Sequence, residues 1–151
     1  MSATPRATSS RYAAAIASLG RPADIRALPL PAMHLVMAMR LCALFEQAGR
    51  EPIVELTGRF GSVTLAEQVL ALSRMIGRAW PEPYGVSRPC CLRMTPDERT
   101  LASMVRRAMA GDRAGFASEL DGFVRPVWHE PLYDHAVECV ALLSSLQQQR
   151  A

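Results

Sequence analysis

The chain of 151 residues is long enough to form one domain with a hydrophobic core, without disulfides or a structural metal. Hydrophobic residues make up 50% of the chain and charged residues 21%, which is typical of soluble globular proteins and argues against disorder of the whole chain. The formal net charge of +3 comes from arginines scattered along the sequence, so it gives little support for nucleic acid as a partner.

The first 30 residues are predicted to form a polar N-terminal arm and a connector. Residues 11–20, RYAAAIASLG, favour a short helix, and the prolines that follow break this pattern. The connector should be extended until Pro31, which suits the first turn of a helix. A single helical domain is therefore predicted over residues 31–151.

The segment AMHLVMAMRLCALFEQA, residues 32–48, is apolar on almost every side of a helix. It should form the most buried helix of the fold, and Gly49 is a natural stop. Arg40 lies in its middle, and the apolar run is shorter than the roughly 20 residues that a bilayer requires, so no membrane span is expected. His34 is expected to be a core histidine rather than a ligand.

Capping motifs and apolar residues spaced three or four apart indicate further helices. The expected segments are residues 64–78, beginning with the capping box TLAE, residues 96–110, a helix with Phe116, Leu120 and Val124 that ends at RPVWHEP (125–131), and residues 131–148. The strand-like piece EPIVELTG, residues 51–58, is too short and isolated for a sheet. The predicted fold class is all-α, a compact bundle of about five helices around residues 32–48.

The strongest local signal is Thr95-Pro96-Asp97-Glu98. Thr95 is a favourable N-cap residue, Pro96 suits the first helical position, and an acidic Glu98 stabilises the first turn. A helix beginning at Pro96 is therefore expected.

The chain contains four cysteines, which are expected to be reduced thiols. Two of them are adjacent, and adjacent cysteines rarely bond each other; no secretory signal indicates an oxidising compartment. All basic residues are arginine and there is no lysine or asparagine, a bias typical of a GC-rich bacterial genome. A bacterial, cytoplasmic protein is therefore expected. The four cysteines are Cys42, Cys90, Cys91 and Cys139.

One hypothesis for Cys90 and Cys91 is a zinc site. His135 and Cys139 are one helical turn apart, and with the two loop cysteines they would form a Cys3His set. Against this, paired zinc ligands usually follow a C-x2-C spacing. Cys139 also lies in the centre of an apolar face, where a free cysteine behaves as a small hydrophobe.

Two other interpretations of the cysteine pair remain open. Arg88, Arg93 and the positive end of the following helix would favour thiolates, as in a redox sensor or a modification point. A catalytic cysteine would also need a base, which His129 or His135 could supply through tertiary contact. Alternatively, the pair belongs to an ordinary loop packed under the neighbouring helix.

Two tryptophans next to proline-containing turns, Trp80 and Trp128, are candidate partner-binding residues, although such side chains also cover the ends of cores.

A weak DNA-binding regulator is a further alternative for the function. The helix at 96–110 carries an arginine face, and the corner MAGDRAGFASEL resembles a helix-turn-helix. The acidic Glu119 and Asp121 on the following helix weaken this reading.

The segment PCCLRMTPDE, residues 89–98, resembles an uncharacterised family of small helical proteins from sphingomonads and related alphaproteobacteria. The resemblance covers the C-terminal half of the chain, including its Ala- and Arg-rich helices. It implies a bacterial cytoplasmic helical protein and transfers no activity or site. The matching residues are Cys90, Cys91, Arg93, Met94 and Thr95.

No glycine-rich phosphate loop, paired-carboxylate motif or serine nucleophile motif occurs in the sequence, which favours a protein that is not an enzyme without excluding one. The preferred function is a non-catalytic interaction or assembly protein, binding a protein partner or itself, with no cofactor. The zinc or thiol-redox module built on Cys90 and Cys91 is the alternative.

Overall fold

Six α-helices dominate residues 24–150, the part of the chain that the computed structural model describes. The all-α prediction is confirmed: this part holds no strand, only a single β-bridge between Asp24 and Arg93. The helices are α1 Leu30–Gln47, α2 Ile53–Phe60, α3 Val63–Ala79, α4 Pro96–Met109, α5 Arg113–Leu120 and α6 His129–Arg150, with 3-10 turns at Ile25–Ala27 and Pro126–Trp128. The short helix expected at residues 11–20 lies outside the described residues.

The core lies between α1, α3, α4 and α6. Helix α1 packs against α3, α4 and α6, and α6 also packs against α3, α4 and α5. As predicted, α1 has a proline in its first turn and is buried around most of its length up to Cys42. Gly49 follows its end with a φ of 67°, a backbone conformation that glycine adopts without strain. None of the helices between residues 24 and 150 is long and apolar enough to span a membrane.

Most of the strand-like segment at residues 51–58 belongs to helix α2, which begins at Ile53. Leu56 and Phe60 are four residues apart and both are buried, so the apolar spacing of a helix prevails over the β-branched pair Ile53-Val54. Gly61 ends α2 in the left-handed conformation, and its amide donates to the carbonyl of Thr57 at 2.8 Å.

The predicted cap of α3 is wrong by two residues. Ser62, with an extended backbone, accepts a hydrogen bond from the amide of Leu65 at 3.2 Å. Thr64 already belongs to the first turn of the helix. The side chains of Thr64 and Glu67 are both exposed. Ser62 thus satisfies the orphan amide of Leu65, whereas a cap at Thr64 would have bound the amide of Glu67, two residues further along.

The predicted cap of α4 is confirmed. Thr95 Oγ1 accepts from the amide of Glu98 at 3.1 Å, and a Glu98 carboxylate oxygen accepts from the amide of Thr95 at 2.9 Å. Both hydrogen bonds of a capping box are therefore present, with Pro96 at the first helical position.

The last two helices differ from their predicted bounds. Helix α5 ends at Leu120, before Gly122, whose φ of 88° breaks the helix. Val124 is nevertheless buried, and its amide donates to the carbonyl of Leu120 at 3.0 Å. Helix α6 begins at His129 rather than near Pro131, since a proline in the first turn removes no helical hydrogen bond.

The corrected cap predicts different effects for two neighbouring hydroxyl residues. Ser62→Ala should lower the free energy of unfolding by about 1 kcal/mol, because it removes the acceptor for the Leu65 amide. Thr64→Ala should change it by less than about 0.5 kcal/mol, because that side chain is exposed inside the helix. Urea unfolding of both variants measures this. A larger loss for Thr64→Ala would contradict the observed start of α3.

Candidate functional site

A buried arginine lies beneath the loop that carries the cysteine pair. Arg40, in the middle of α1, is 1% exposed and directs its guanidinium toward the segment between α3 and α4. Its Nη1 donates to the carbonyl oxygens of Cys91 at 2.6 Å and Arg88 at 3.3 Å, and its Nη2 donates to that of Arg93 at 3.1 Å. One side chain thus fixes three backbone positions of this loop.

The charge of Arg40 is balanced by Glu98, which is 0% exposed. Arg40 Nε lies 2.6 Å from Glu98 Oε2, and Arg40 Nη2 lies 3.1 Å from Glu98 Oε1. The Oε1 atom also accepts from the amides of Thr95 at 2.9 Å and Ser87 at 3.3 Å. Removal of two charges from water is costly, and this two-pronged geometry with added backbone donors compensates for it.

The first turn of α4 binds further polar groups of the same loop. Asp97 accepts from the indole Nε1 of Trp80 at 3.2 Å and from the amide of Gly85 at 2.8 Å. Thr95 Oγ1 donates to the carbonyl of Gly85 at 2.7 Å, and Ser87 Oγ donates to that of Arg93 at 2.8 Å. The loop from Trp80 to Thr95 is therefore held by side chains at both of its ends, although it contains no helix.

The connector before α1 joins this network. The amide of Ile25 donates to the carbonyl of Leu92 at 2.8 Å, and Ile25 is itself buried in the core. Together with the β-bridge between Asp24 and Arg93, this contact attaches the connector to the loop. The cysteine pair is thus flanked by contacts with α1, α4 and the connector.

The cysteines fall into two pairs, and all four are free thiols. Cys90 is exposed and Cys91 is half-buried, in a turn closed by a hydrogen bond from the Cys91 amide to the Arg88 carbonyl at 2.9 Å. Burial raises the pKa of Cys42 to about 11 and that of Cys139 to about 12. The expectation that Cys139 is a buried hydrophobe is confirmed.

The predicted zinc ligands are not brought together. Cys139 lies in the core on α6, His135 is half-buried one turn before it, and Cys90 points to solvent at the surface of the loop. Between residues 24 and 150, no three His, Cys, Asp or Glu side chains form a group that could hold a metal. Cys90, Cys91, His135 and Cys139 therefore do not converge, because Cys139 packs in the core as the apolar face of its helix predicts, whereas Cys90 is exposed on the loop.

Of the two histidines considered as bases, His129 has its Nε2 3.0 Å from the carbonyl of Val124, and His135 is half-buried on α6. His34, which is predicted to be a core histidine, is half-buried rather than fully buried and lies edge-on to Phe60, with ring centroids 6.4 Å apart. Burial lowers the pKa of His34, and the positive charge of Arg150 lowers it further.

The two tryptophans differ in environment. Trp80 is 5% exposed and covers one end of the core, edge-on to Tyr84 and Phe123. Trp128 is half-buried against the core. The ring of Trp80 therefore offers little surface to a partner, whereas Trp128 stays a candidate.

The arginine face considered for DNA is partly neutralised. Arg107 lies 2.9 Å from Asp112 and 3.5 Å from Glu119. The arginines and the acidic residues of positions 24–150 are equal in number, so the formal net charge of the chain resides in its first 23 residues. The residues from 24 to 150 thus carry no net formal charge, whereas sequence-independent DNA binding depends on positive charge.

Sequence reasoning missed the pairing of Arg40 with Glu98. The available signal was a single arginine within a helix that is apolar on almost every side, because a charge at such a position must find a partner. The partner itself follows only from tertiary packing, since it lies 58 positions away. Glu98 was noticed solely for its place in the first turn of α4.

Comparison of the chain with protein-family models, curated proteins and solved structures finds no match. The resemblance at residues 89–98 to an alphaproteobacterial family therefore stays a prediction.

The buried pair predicts a large non-additive effect on stability. Arg40→Met should lower the free energy of unfolding by about 3–5 kcal/mol, because it leaves the Glu98 carboxylate buried without its counter-charge. In the Arg40→Met variant, Glu98→Leu should lower the free energy of unfolding by much less than Glu98→Leu does in the wild type. The reason is that no isolated buried charge remains in the double variant. Denaturant unfolding of the single and double variants measures the coupling. As a control, Arg74→Met removes an exposed pair with Glu51 and should cost less than about 0.5 kcal/mol; additivity at Arg40 and Glu98 would contradict the account.

The placement of the thiols predicts two classes of reactivity. In the native protein a thiol reagent such as Ellman's disulfide should modify Cys90 first and Cys91 more slowly, with Cys90→Ser and Cys91→Ser assigning the phases. Cys42 and Cys139 should react only on unfolding, because burial holds them as thiols. If all four thiols reacted at the same rate in the native protein, the burial of Cys42 and Cys139 would be contradicted.

Proposed function

We propose that the protein is a non-catalytic helical protein of the bacterial cytoplasm that acts by protein–protein contact. The partner we propose is a second copy of the same chain. The observation that carries this proposal is a groove of about 550 Å³ along the outer face of α6. The free thiols of Cys90 and Cys91, both accessible to some degree, suit the reducing environment of a cytoplasm.

The groove has an apolar strip with charged borders. Val137 is 36% exposed, Ala141 one turn later is exposed, and the neighbouring Leu142 is half-buried. At one end the Arg113 guanidinium lies 4.4 Å above the ring of Tyr133. An apolar centre with a polar rim is typical of protein interfaces. The charged lining residues are Arg113, Asp134 and Glu138.

The charges of the groove favour self-association. Arg113 is positive, whereas Asp134 and Glu138 are negative, so the same surface carries both signs. In a two-fold symmetric dimer each patch faces its own copy, and Arg113, which pairs with Glu130 and Asp134 of its own chain, can then add a contact with Glu138 of the other. Helix α6, with 22 residues, is long enough to lie along a second α6 with Val137 and Ala141 between them.

Sedimentation equilibrium across a wide concentration range tests the proposal. The wild-type protein should form a dimer, and Val137→Glu should weaken it, because a carboxylate in the apolar strip loses its hydration without a partner. Val54→Glu is the matched control: this valine is 79% exposed on α2 and does not line the groove. A strictly monomeric wild type, or an equal effect of the two substitutions, would contradict self-association through α6.

The rival function is a thiol module, and the exposure of Cys90 beside half-buried Cys91 favours it. Elemental analysis of purified protein and of Cys90→Ser discriminates between the two. A stoichiometric metal lost in Cys90→Ser would support a zinc or other metal module. Peroxide treatment that oxidises Cys90 reversibly and leaves the dimer unchanged would support a redox role instead.

A further inference from the structure

A second concavity, distinct from the α6 groove, lies between α1, α2 and the cysteine loop. It has a volume of about 350 Å³, within the range of about 300–1,000 Å³ that small-molecule sites occupy. Its walls are mainly apolar. The lining residues are His34, Met37, Ala38, Leu41, Leu56, Arg59, Phe60 and Pro89.

The apolar walls come from three separate elements. Leu41 belongs to α1, Leu56 and Phe60 belong to α2, and Pro89 belongs to the turn before Cys90. Leu56 and Phe60 are themselves buried, so their position is fixed by the core. A cavity with such walls favours a ligand with an apolar body, because burial of apolar surface is the main favourable contribution.

The polar side chains that line this cavity are those of Arg59 and His34. Arg150 lies near the cavity and does not line it, and its Nη2 donates to the carbonyl of Phe60 at 3.0 Å. Arg150 is close enough to His34 for its charge to lower the pKa of that ring, after the larger effect of burial. Arg59 Nε donates to a carboxylate oxygen of Glu55 at 3.1 Å. A guanidinium has five N–H donors, so this pair engages only one of its nitrogen atoms.

We propose that this cavity binds a small organic acid with an apolar body. The carboxylate lies at the His34 and Arg59 side, and the apolar body lies against Leu41, Leu56 and Phe60. Charge complementarity decides the class of ligand. An amine would meet the positive charge of Arg59, whereas a carboxylate gains a charge-assisted hydrogen bond from Arg59 and a second hydrogen bond from His34.

Titration calorimetry with octanoate, 1-octanol and octylammonium tests the class of ligand. The three probes share the same alkyl chain and differ in charge. Octanoate should bind with an affinity about tenfold or more above that of either other probe, because only the carboxylate engages charged donors. Equal binding of octanoate and 1-octanol, or tighter binding of octylammonium, would overturn the proposal.

Two substitutions locate the site. Arg59→Gln should weaken octanoate about tenfold and leave 1-octanol unchanged, and this exposed position tolerates the change without loss of folding. Ala38→Leu should fill the cavity and abolish binding of both probes. Ala43→Leu is its matched control, on the same helix but lining a different cavity. Octanoate binding that survives both Arg59→Gln and Ala38→Leu would overturn the site, and if Ala38→Leu does not fold, Arg59→Gln decides alone.

Discussion

A charged pair taken out of water organises one side of this small helical protein. Arg40 would be strongly unfavourable in the middle of a buried helix, and Glu98 would be equally so at the start of another, if either stood alone. Their direct contact, with nitrogen–oxygen distances of 2.6 and 3.1 Å, makes the burial of both possible. It also fixes how α1 and α4 lie against each other, because the two-pronged geometry tolerates little rotation.

The remaining donors of Arg40 extend this constraint to the backbone. They bind carbonyl groups of Arg88, Cys91 and Arg93, so one side chain satisfies three carbonyl groups of a segment without helical hydrogen bonds. Pro89 is held in the same turn and forms a wall of the cavity between α1 and α2. The exposure of Cys90 follows too, since it stands at the outer corner of a turn whose flanking carbonyl groups face inward.

How much the sequence predicts depends on the range of the interaction. The cap at Thr95 and the stop at Gly49 follow from local backbone chemistry, and the sequence predicts both correctly. At α3 two hydroxyl residues compete, and the local pattern selects Thr64 although Ser62 forms the cap. The partner of Arg40 depends on packing between distant segments, and no local pattern carries that information. The same limit applies to the proposed zinc site, which joined residues by spacing alone.

Native-state hydrogen exchange tests the central claim that the buried pair fixes the loop. The amides of Ser87 and Thr95 both donate to the Glu98 carboxylate, although they lie outside the helices. The opening free energy for exchange of these two amides should be close to the opening free energy of core amides, such as the amide of Leu101 on α4. The reason is that release of the loop leaves the charged pair incompletely solvated. Exchange of Ser87 and Thr95 at the rate of an unprotected loop, while Leu101 stays protected, would contradict the account.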